Sequence, residues 1–442
     1  MSTSKPFRVA VVSLGCPKAL VDCEKMLAEL AEAGCVVGAP PGEADVILIN
    51  TCSFIAPAVE ESMEAIREAA EAKRAGAVRR VVVAGCLPQR QGAELLEAVP
   101  EIDAVVGVHN RDDIVQAVTG AGRVVRVDRA SAGCLDDRGR FRLTPRHTAY
   151  LRLAEGCSSG CSYCTIPAIR GPLRSKPMGM LLDEAAELAA DGAVELNLIA
   201  QDTTAYGADR TDGANLPDLL RGLDAVEGVR WIRLLYAHPR TLTGAVIDAL
   251  AECPRVVPYL DMPVQHIADK VLAAMGRGYD CLRVQQVLAA LRERVEGIAL
   301  RTTFIVGFPG EGREEFRELC AFVERERFDA VGVFPYWQEE GTRAARLSAQ
   351  VPDRTRRKRR DRLMRIQQEI AFAANAARVG STVDVLVDGL DPQGRTVGRH
   401  PGQAPDVDSL CLFTEPAEPG AIVSCKVVDS VDYDLVVEPF RG

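Results

Sequence analysis

The chain has 442 residues, 47% hydrophobic and 26% charged, with a net charge of −9 at pH 7. That length exceeds a single ordinary core and predicts about three domains. No apolar run reaches the length of a bilayer-spanning helix, and the start "MSTSKPFRVAVVSLG" lacks a signal-peptide core, so a cytoplasmic protein without a membrane role is expected. Thiols stay reduced in that compartment. The fourteen cysteines must therefore be metal ligands or small buried side chains.

Residues 5–140 alternate strand and helix. The β-branched runs "FRVAVVSLG", "ADVILINTC", "VRRVVVAGC" and "IDAVVGV" are each followed by a helical pattern, among them "ALVDCEKMLAELAEAG" and "APAVEESMEAIREAAEAKRAG". Continuous apolar strands joined by helices predict a doubly wound parallel α/β domain, with helices on both faces. Residues 146–375 repeat the alternation with six candidate strands: "TAYLRLAEG", "AVELNLIAQD", "VRWIRLLYAHP", "VVPYLDMPVQH", "ALRTTFIVGFPG" and "DAVGVFPYWQEEGT". Six units predict a partial (β/α)6 barrel whose chemistry lies at the C-terminal strand ends. Those ends carry Gln201, Asp202, His238, Gln265, His266 and the glycine-rich "GFPGEG". A basic helical stretch, "RTRRKRRDR" at 354–362, leads to residues 379–442. There β-branched residues with Gly, Pro and Asp punctuation predict a small all-β barrel.

Two cysteine groups stand out. Cys157, Cys161 and Cys164 lie in "GCSSGCSYC", directly after the first strand of the central region. Structural zinc sites take four ligands, usually as two separated pairs, and no second pair is near. The C-x3-C-x2-C spacing suits three corners of a cubane iron–sulfur cluster, leaving the fourth iron open to a small molecule; a zinc knuckle or a ferredoxin-like cluster is the alternative. Cys16, Cys52 and Cys86 are far apart in sequence, but each ends an apolar strand: "VVSLGC", "ILINTC" and "VVVAGC". Residues just past the strands of a doubly wound sheet gather along one edge. The three can converge on a shared metal, or each can be a buried thiol.

The motif "GCSSGCSYC", with the aromatic Tyr163 before its last cysteine, resembles the radical S-adenosylmethionine (SAM) signature. Together with the second cysteine triad and the terminal β-barrel, the whole chain is similar to the methylthiotransferase family. The resemblance implies two 4Fe–4S clusters, an auxiliary one on Cys16, Cys52 and Cys86 and a SAM-binding one on Cys157, Cys161 and Cys164. It also implies a C-terminal TRAM domain and, as cofactor, SAM. Glu195 falls where the superfamily's acidic SAM-ammonium motif would lie, with a surface glutamate at a strand start as the alternative; Tyr163 belongs to the signature, and Gln201 ends a barrel strand within reach of SAM. His238 and Gln265 lie at strand ends without an assigned role. Cys23 stands in "LVDCE" where the family usually has Ser, so it is either a buried thiol or a neighbour of the auxiliary cluster. Cys35, Cys134, Cys253, Cys281, Cys320, Cys411 and Cys425 show no metal spacing.

Family members modify either a tRNA adenosine or an aspartate of a ribosomal protein. The stretches "SLGCPKALVDCE", "AQDTTAYG", "YLDMPVQHI" and "RTTFIVGFPGE" resemble the ribosomal-protein branch. That resemblance implies conversion of C–H to C–S–CH3 at the β-carbon of an aspartate in ribosomal protein S-twelve, free or in the small subunit, with separate electron and sulfur donors. Methylthiolation of tRNA is the alternative. Charge bears on the choice independently: residues 379–442 hold eleven acidic and four basic residues, a poor surface for RNA phosphates and a good one for a basic protein. Against this, the seven basic residues of 354–362 form either an RNA contact or a solvated helix face.

Overall fold

The computed structural model describes residues 6–129 and 136–440, and Cys134 lies outside them. By compactness the chain forms two units. The first comprises the described residues up to Leu143 with Ala154–Ser158 and Cys164–Lys176; the second comprises Thr144–Leu153, Ser159–Tyr163 and the described residues from Pro177 onward.

The first unit is built on six parallel strands: β1 (Arg8–Ser13), β2 (Val36–Val37), β3 (Val46–Thr51), β4 (Arg80–Gly85), β5 (Ala104–Gly107) and β6 (Val124–Arg126). Their order is β2-β1-β3-β4-β5-β6. The doubly wound expectation holds, with short β2 and β6 added at the edges, where two or three residues give too little pattern to read. Alternation distributes the side chains between two cores. Ile47, Ile49, Val81 and Val83 pack with Ile66 and Ala69 of the helix Ala56–Arg74. Leu48, Val82 and Ala84 pack on the opposite face with Met26, Leu27 and Leu30 of the helix Pro17–Glu32. The strand order reverses between β1 and β3, the point at which doubly wound sheets open a crevice at their carboxyl ends.

The second unit contains all six expected barrel strands: β7 (Thr148–Arg152), β10 (Glu195–Ile199), β11 (Trp231–Leu234), β12 (Val256–Asp261), β13 (Ala299–Val306) and β14 (Ala330–Pro335). The two-residue strands β8 (Ala154–Glu155) and β9 (Arg174–Ser175) pair with each other in the first unit. The barrel strands are parallel and run β14-β13-β12-β11-β10-β7, with β14 and β7 at the two edges. Leu196, Leu198, Ile232, Leu234 and Leu260 belong to the core packed with helices such as Met178–Ala190 and Cys281–Arg294. The alternate residues Glu195, Asn197 and Arg233 are polar and fully buried.

A 26-residue helix, Asp353–Arg378, leads to a closed five-stranded barrel of β15 (Thr382–Leu390), β16 (Thr396–Arg399), β17 (Cys411–Phe413), β18 (Ile422–Val431) and β19 (Asp434–Pro439). Its core is Val385, Val387, Cys411, Phe413, Cys425, Val427, Leu435 and Val437. No helix among the described residues is long and apolar enough to cross a membrane.

Candidate metal centres

In the first unit Cys16, Cys52 and Cys86 leave three adjacent strands at the switch point. Ser13 pairs with Asn50 and Thr51 pairs with Gly85, so Cys52 and Cys86 follow their strands at one level. Hydrogen bonds tie the three exits together. Asn50 Nδ2 donates to Ala19 O at 2.7 Å, Ser53 Oγ to Cys86 O at 3.0 Å, and Leu87 N to Thr51 Oγ1 at 3.3 Å. Ser62 Oγ donates to Cys52 O and accepts from Cys52 N. Gly85 has φ +102°, and a Cβ there would lie 2.7 Å from both Thr51 O and Asn50 Oδ1. Only glycine fits so close an approach.

The three thiols act on one another electrostatically, Cys86 feeling both Cys16 and Cys52. Burial pushes the Cys86 thiol up to about 12 and also raises Cys52. Burial would raise Cys16 as well, but the charges of Lys18 and Arg170 and the N–H groups of Ala19 and Lys18 bring it below the ordinary thiol value. Arg170 contributes favourably to all three thiolates and donates from Nη2 to Cys86 Sγ at 3.3 Å. Three thiols with a built-in cation fit an anionic iron–sulfur cluster. Cys23 points instead into the apolar core, where burial lifts its thiol to about 12. This matches the buried-thiol alternative. Among the described residues no group of three or more His, Cys, Asp or Glu side chains is placed to hold a single metal ion. A cubane differs in spreading its thiolates over several iron corners.

The second motif is positioned by short-range geometry. In the first unit Cys157 N donates to Gly171 O at 3.1 Å and Ile166 N to Cys164 Sγ at 3.4 Å. Gly156 has φ +75°, and its Cβ would lie 2.1 Å from Pro172 O. In the second unit Ser162 N and Oγ both donate, at 2.8 Å, to Met275 O and Ala274 O of the helix Asp269–Met275. Arg277, just beyond that helix, donates to Cys161 Sγ at 3.3 Å and to Pro263 O at 2.8 Å, and lies 3.4 Å from the Tyr163 hydroxyl. Tyr163 packs edge-on against Phe308 of the "GFPGEG" turn. Asp202, its pKa raised by burial, accepts from Thr204, Thr241 and Ser159 of the motif itself, the last at 3.4 Å. Gln201 follows β10 beside it, half-buried.

Several buried polar atoms of the second unit lack a hydrogen-bond partner among the described residues: both amide atoms of Asn197, His238 Nε2 and Gln265 Oε1. Buried polar groups are normally satisfied, so these suit a polar ligand such as SAM. His238 is kept neutral, its pKa pulled down to about 2 by burial and the charges of Arg277 and Arg240. Gln265 has φ +72°, a strained backbone of the kind found at functional sites.

Glu195 requires a correction. It is the first residue of β10, in register with Thr148 at the start of β7, whereas the cysteine motif follows the far ends of these strands. Its carboxylate is fully buried and accepts from Arg399 Nη2 at 2.8 Å, Arg233 Nε at 3.0 Å and Thr148 Oγ1 at 3.1 Å. Despite burial, those arginines hold its pKa down to about 2. With its oxygens committed at the wrong end of the strand, Glu195 joins the terminal barrel to the central one and is not placed for an ammonium group. Its position near the expected motif drew the sequence reading to this residue, but sequence does not say which strand end a glutamate serves, nor that this one is buried.

The basic stretch divides. Arg359 donates to Glu311 Oε1 at 2.6 Å, and Glu311 accepts from Gly307 N of the glycine-rich turn at the same distance. Arg356 donates to Tyr336 O at 2.8 Å. Arg354, Arg357, Lys358 and Arg362 are exposed. The helix therefore braces the turn on one side and presents a charged face on the other. Sequence reasoning missed Arg170 and Arg277; lone arginines outside the cysteine motifs carried no signal.

A six-stranded partial barrel with three cysteines at this spacing after its first strand defines a radical SAM protein. The model of the Radical SAM superfamily matches residues 151–323, that of the Uncharacterized protein family UPF0004 residues 8–107, and that of the TRAM domain residues 379–439. A ribosomal protein uS12 methylthiotransferase RimO of Anaeromyxobacter sp. (strain K) is 47% identical over 97% of this chain and 92% of its own length. The protein of the same description from Geobacter sulfurreducens is 43% identical over 99% of both chains. The chain belongs to the ribosomal protein uS12 methylthiotransferase family and is a radical-SAM methylthiotransferase, with SAM and 4Fe–4S clusters as its cofactors. Solved structures share the fold at low identity. The radical SAM methyltransferase TsrM of Kitasatospora setae aligns with TM-score 0.52 at 16% identity, covering 86% of this chain and 80% of that one.

Proposed function

We propose that this chain methylthiolates the β-carbon of an aspartate in ribosomal protein uS12, replacing C–H by C–S–CH3, on the free protein or on the small ribosomal subunit. The observation that carries this reading is 42–47% identity, over nearly the whole chain, to enzymes described as acting on that protein. The terminal barrel supports it. Asp388 and Asp408 are spent on Arg399 and Arg301 within the second unit, while Asp384, Glu415, Glu418, Asp429, Asp432 and Glu438 remain exposed. An acidic face attracts a basic protein and repels phosphate.

Cys157, Cys161 and Cys164 would hold the SAM-binding cluster, and Cys16, Cys52 and Cys86 the auxiliary one that carries the sulfur. Bound together, cluster and SAM supply a carbon-centred radical able to abstract hydrogen from an unactivated carbon. The chain's own residues prepare that site. Tyr163 lies within the motif, Gln201 follows β10 next to Asp202, Asp202 fixes Ser159 of the motif, and the open polar atoms of His238 and Gln265 orient a bound ligand. An electron donor and a sulfur donor act as separate partners, and a ribosomal substrate supports a cytoplasmic site of action.

Anaerobic incubation of the reconstituted enzyme with SAM, a reductant, purified uS12 and bulk tRNA tests the reading. Mass spectrometry is expected to find one methylthio group on a uS12 aspartate; modification confined to tRNA would overturn it. Two cubanes also require about eight irons per chain.

A further inference from the structure

Arg170 closes the five-residue helix Ile166–Arg170, which starts two residues after Cys164. Its side chain is 2% exposed. Nη1 lies 3.0 Å from both oxygens of Glu155 and 3.1 Å from Asp22 Oδ2, while Nη2 donates to Cys86 Sγ at 3.3 Å. Asp22 also lies 3.5 Å from Arg111. The helix that brings Asp22 starts directly after Cys16, and Ile169 packs on Cys86 and Val108. The two carboxylates already neutralise the guanidinium, so charge balance alone leaves unexplained why its second nitrogen faces a thiol. A planar fork with two faces can hold a carboxylate on one side and a sulfur on the other.

We propose that Arg170 is a positioning residue that raises the reduction potential of the auxiliary cluster, through its N–H···S hydrogen bond to Cys86 and its charge beside Cys16, Cys52 and Cys86. The proposal rests on the reading that these three cysteines hold a cluster. Reduction adds negative charge to a cluster, and a cationic donor on a ligand sulfur stabilises the reduced form more than the oxidised one. Arg170 is supplied by the segment that also meets the other motif, because Gly171 O accepts from Cys157 N and Ile166 N donates to Cys164 Sγ.

The test is a potentiometric titration, followed by electron paramagnetic resonance, of the full chain with both clusters reconstituted. The signal that responds to added SAM marks the radical cluster, and the other marks the auxiliary cluster. Arg170→Met is expected to move the auxiliary midpoint to more negative potential and leave the SAM-responsive midpoint in place. Arg170→Lys, which keeps the charge but loses the fork, is expected to fall between Met and wild type. Asp22→Asn removes one offsetting carboxylate and is expected to move the auxiliary midpoint upward. It also decides the matter if Arg170→Met loses iron. Shifts of opposite sign would not arise from a merely structural role. Eight irons with unmoved auxiliary midpoints, or equal shifts of both signals, would overturn the inference alone. About four irons in the wild-type chain would remove the two-cluster reading beneath it.

Discussion

The two cysteine triads reach similar stoichiometry by different routes. Cys157, Cys161 and Cys164 are placed by one loop of eight residues, whose backbone is turned by Gly156 and Gly160 and stapled to neighbouring segments. Cys16, Cys52 and Cys86 follow three different strands and lie 36 and 34 positions apart in sequence, and the register of the parallel sheet gathers them. Their arginines differ too. Arg170 is clasped by Glu155 and Asp22, whereas the hydrogen bonds of Arg277 go to Cys161, tyrosine hydroxyls and a carbonyl. Among the described residues no carboxylate hydrogen-bonds Arg277, and only the charge of Asp202 reaches it; an anionic cluster on Cys161 would compensate this buried cation. Local motifs of this kind announce themselves in sequence; sites assembled by topology do so only through the strands that carry them.

The sharpest test of this division is cysteine removal. Cys157→Ala is expected to abolish SAM cleavage, read as release of 5′-deoxyadenosine. Cys86→Ala is expected to preserve cleavage while eliminating methylthio transfer. Equal loss of cleavage in both variants would merge the two sites into one function.

Glycine substitutions come next. Gly156→Ala and Gly85→Ala each combine positive φ with a Cβ inside contact distance of backbone oxygen. Each is expected to cost about 3 kcal/mol or more of strain and to strip irons from its own site. Gly160→Ala has positive φ but nothing within 4 Å of its Cβ. It is expected to cost about 1 kcal/mol with both clusters kept. Iron counting and thermal melts distinguish the three. Much of the proposed radical site was legible at this level: spacing and glycines lie within "AEGCSSGCSYC", directly after the strand "TAYLRL". The proposed auxiliary site was legible only as three strand ends, since the hydrogen bonds through Ser62, Asn50 and Ser53 depend on neighbours remote in sequence.

Acid weighs on buried groups of the second unit. His238 and His400 of the second unit are held to about 2 and about 3 by burial and nearby arginines. Unfolded histidines bind protons below their ordinary 6.5 and these do not, so stability is lost as pH falls below that value. Glu195, held to about 2, acts in the same direction: its contribution is present above 4.5 and disappears as pH falls toward 2. Denaturant titrations at pH 7, 5.5 and 4 should show progressive weakening of the second unit. Glu195→Gln should cost about 3–5 kcal/mol at pH 7 by taking the carboxylate from Arg233 and leaving Arg399 with Asp388 alone and flatten the acid end of the profile.

The smallest effect expected is that of Cys23→Ala. Its thiol lies in the core of the first unit, so about 1 kcal/mol of stability is lost with the iron count unchanged. A loss of iron would return Cys23 to the auxiliary site.

The three-part architecture and the six parallel barrel strands could be read from the chain alone, with the two cysteine triads as candidate ligands, because hydrophobic period, strand ends and the C-x3-C-x2-C spacing are local properties of a chain. Tertiary structure alone decided the fate of Glu195, the bracing by Arg356 and Arg359, and the arrival of Arg170 and Arg277 at cysteine sulfur. A long charged side chain can serve any surface within its reach, and only the packed strands and helices around it select one.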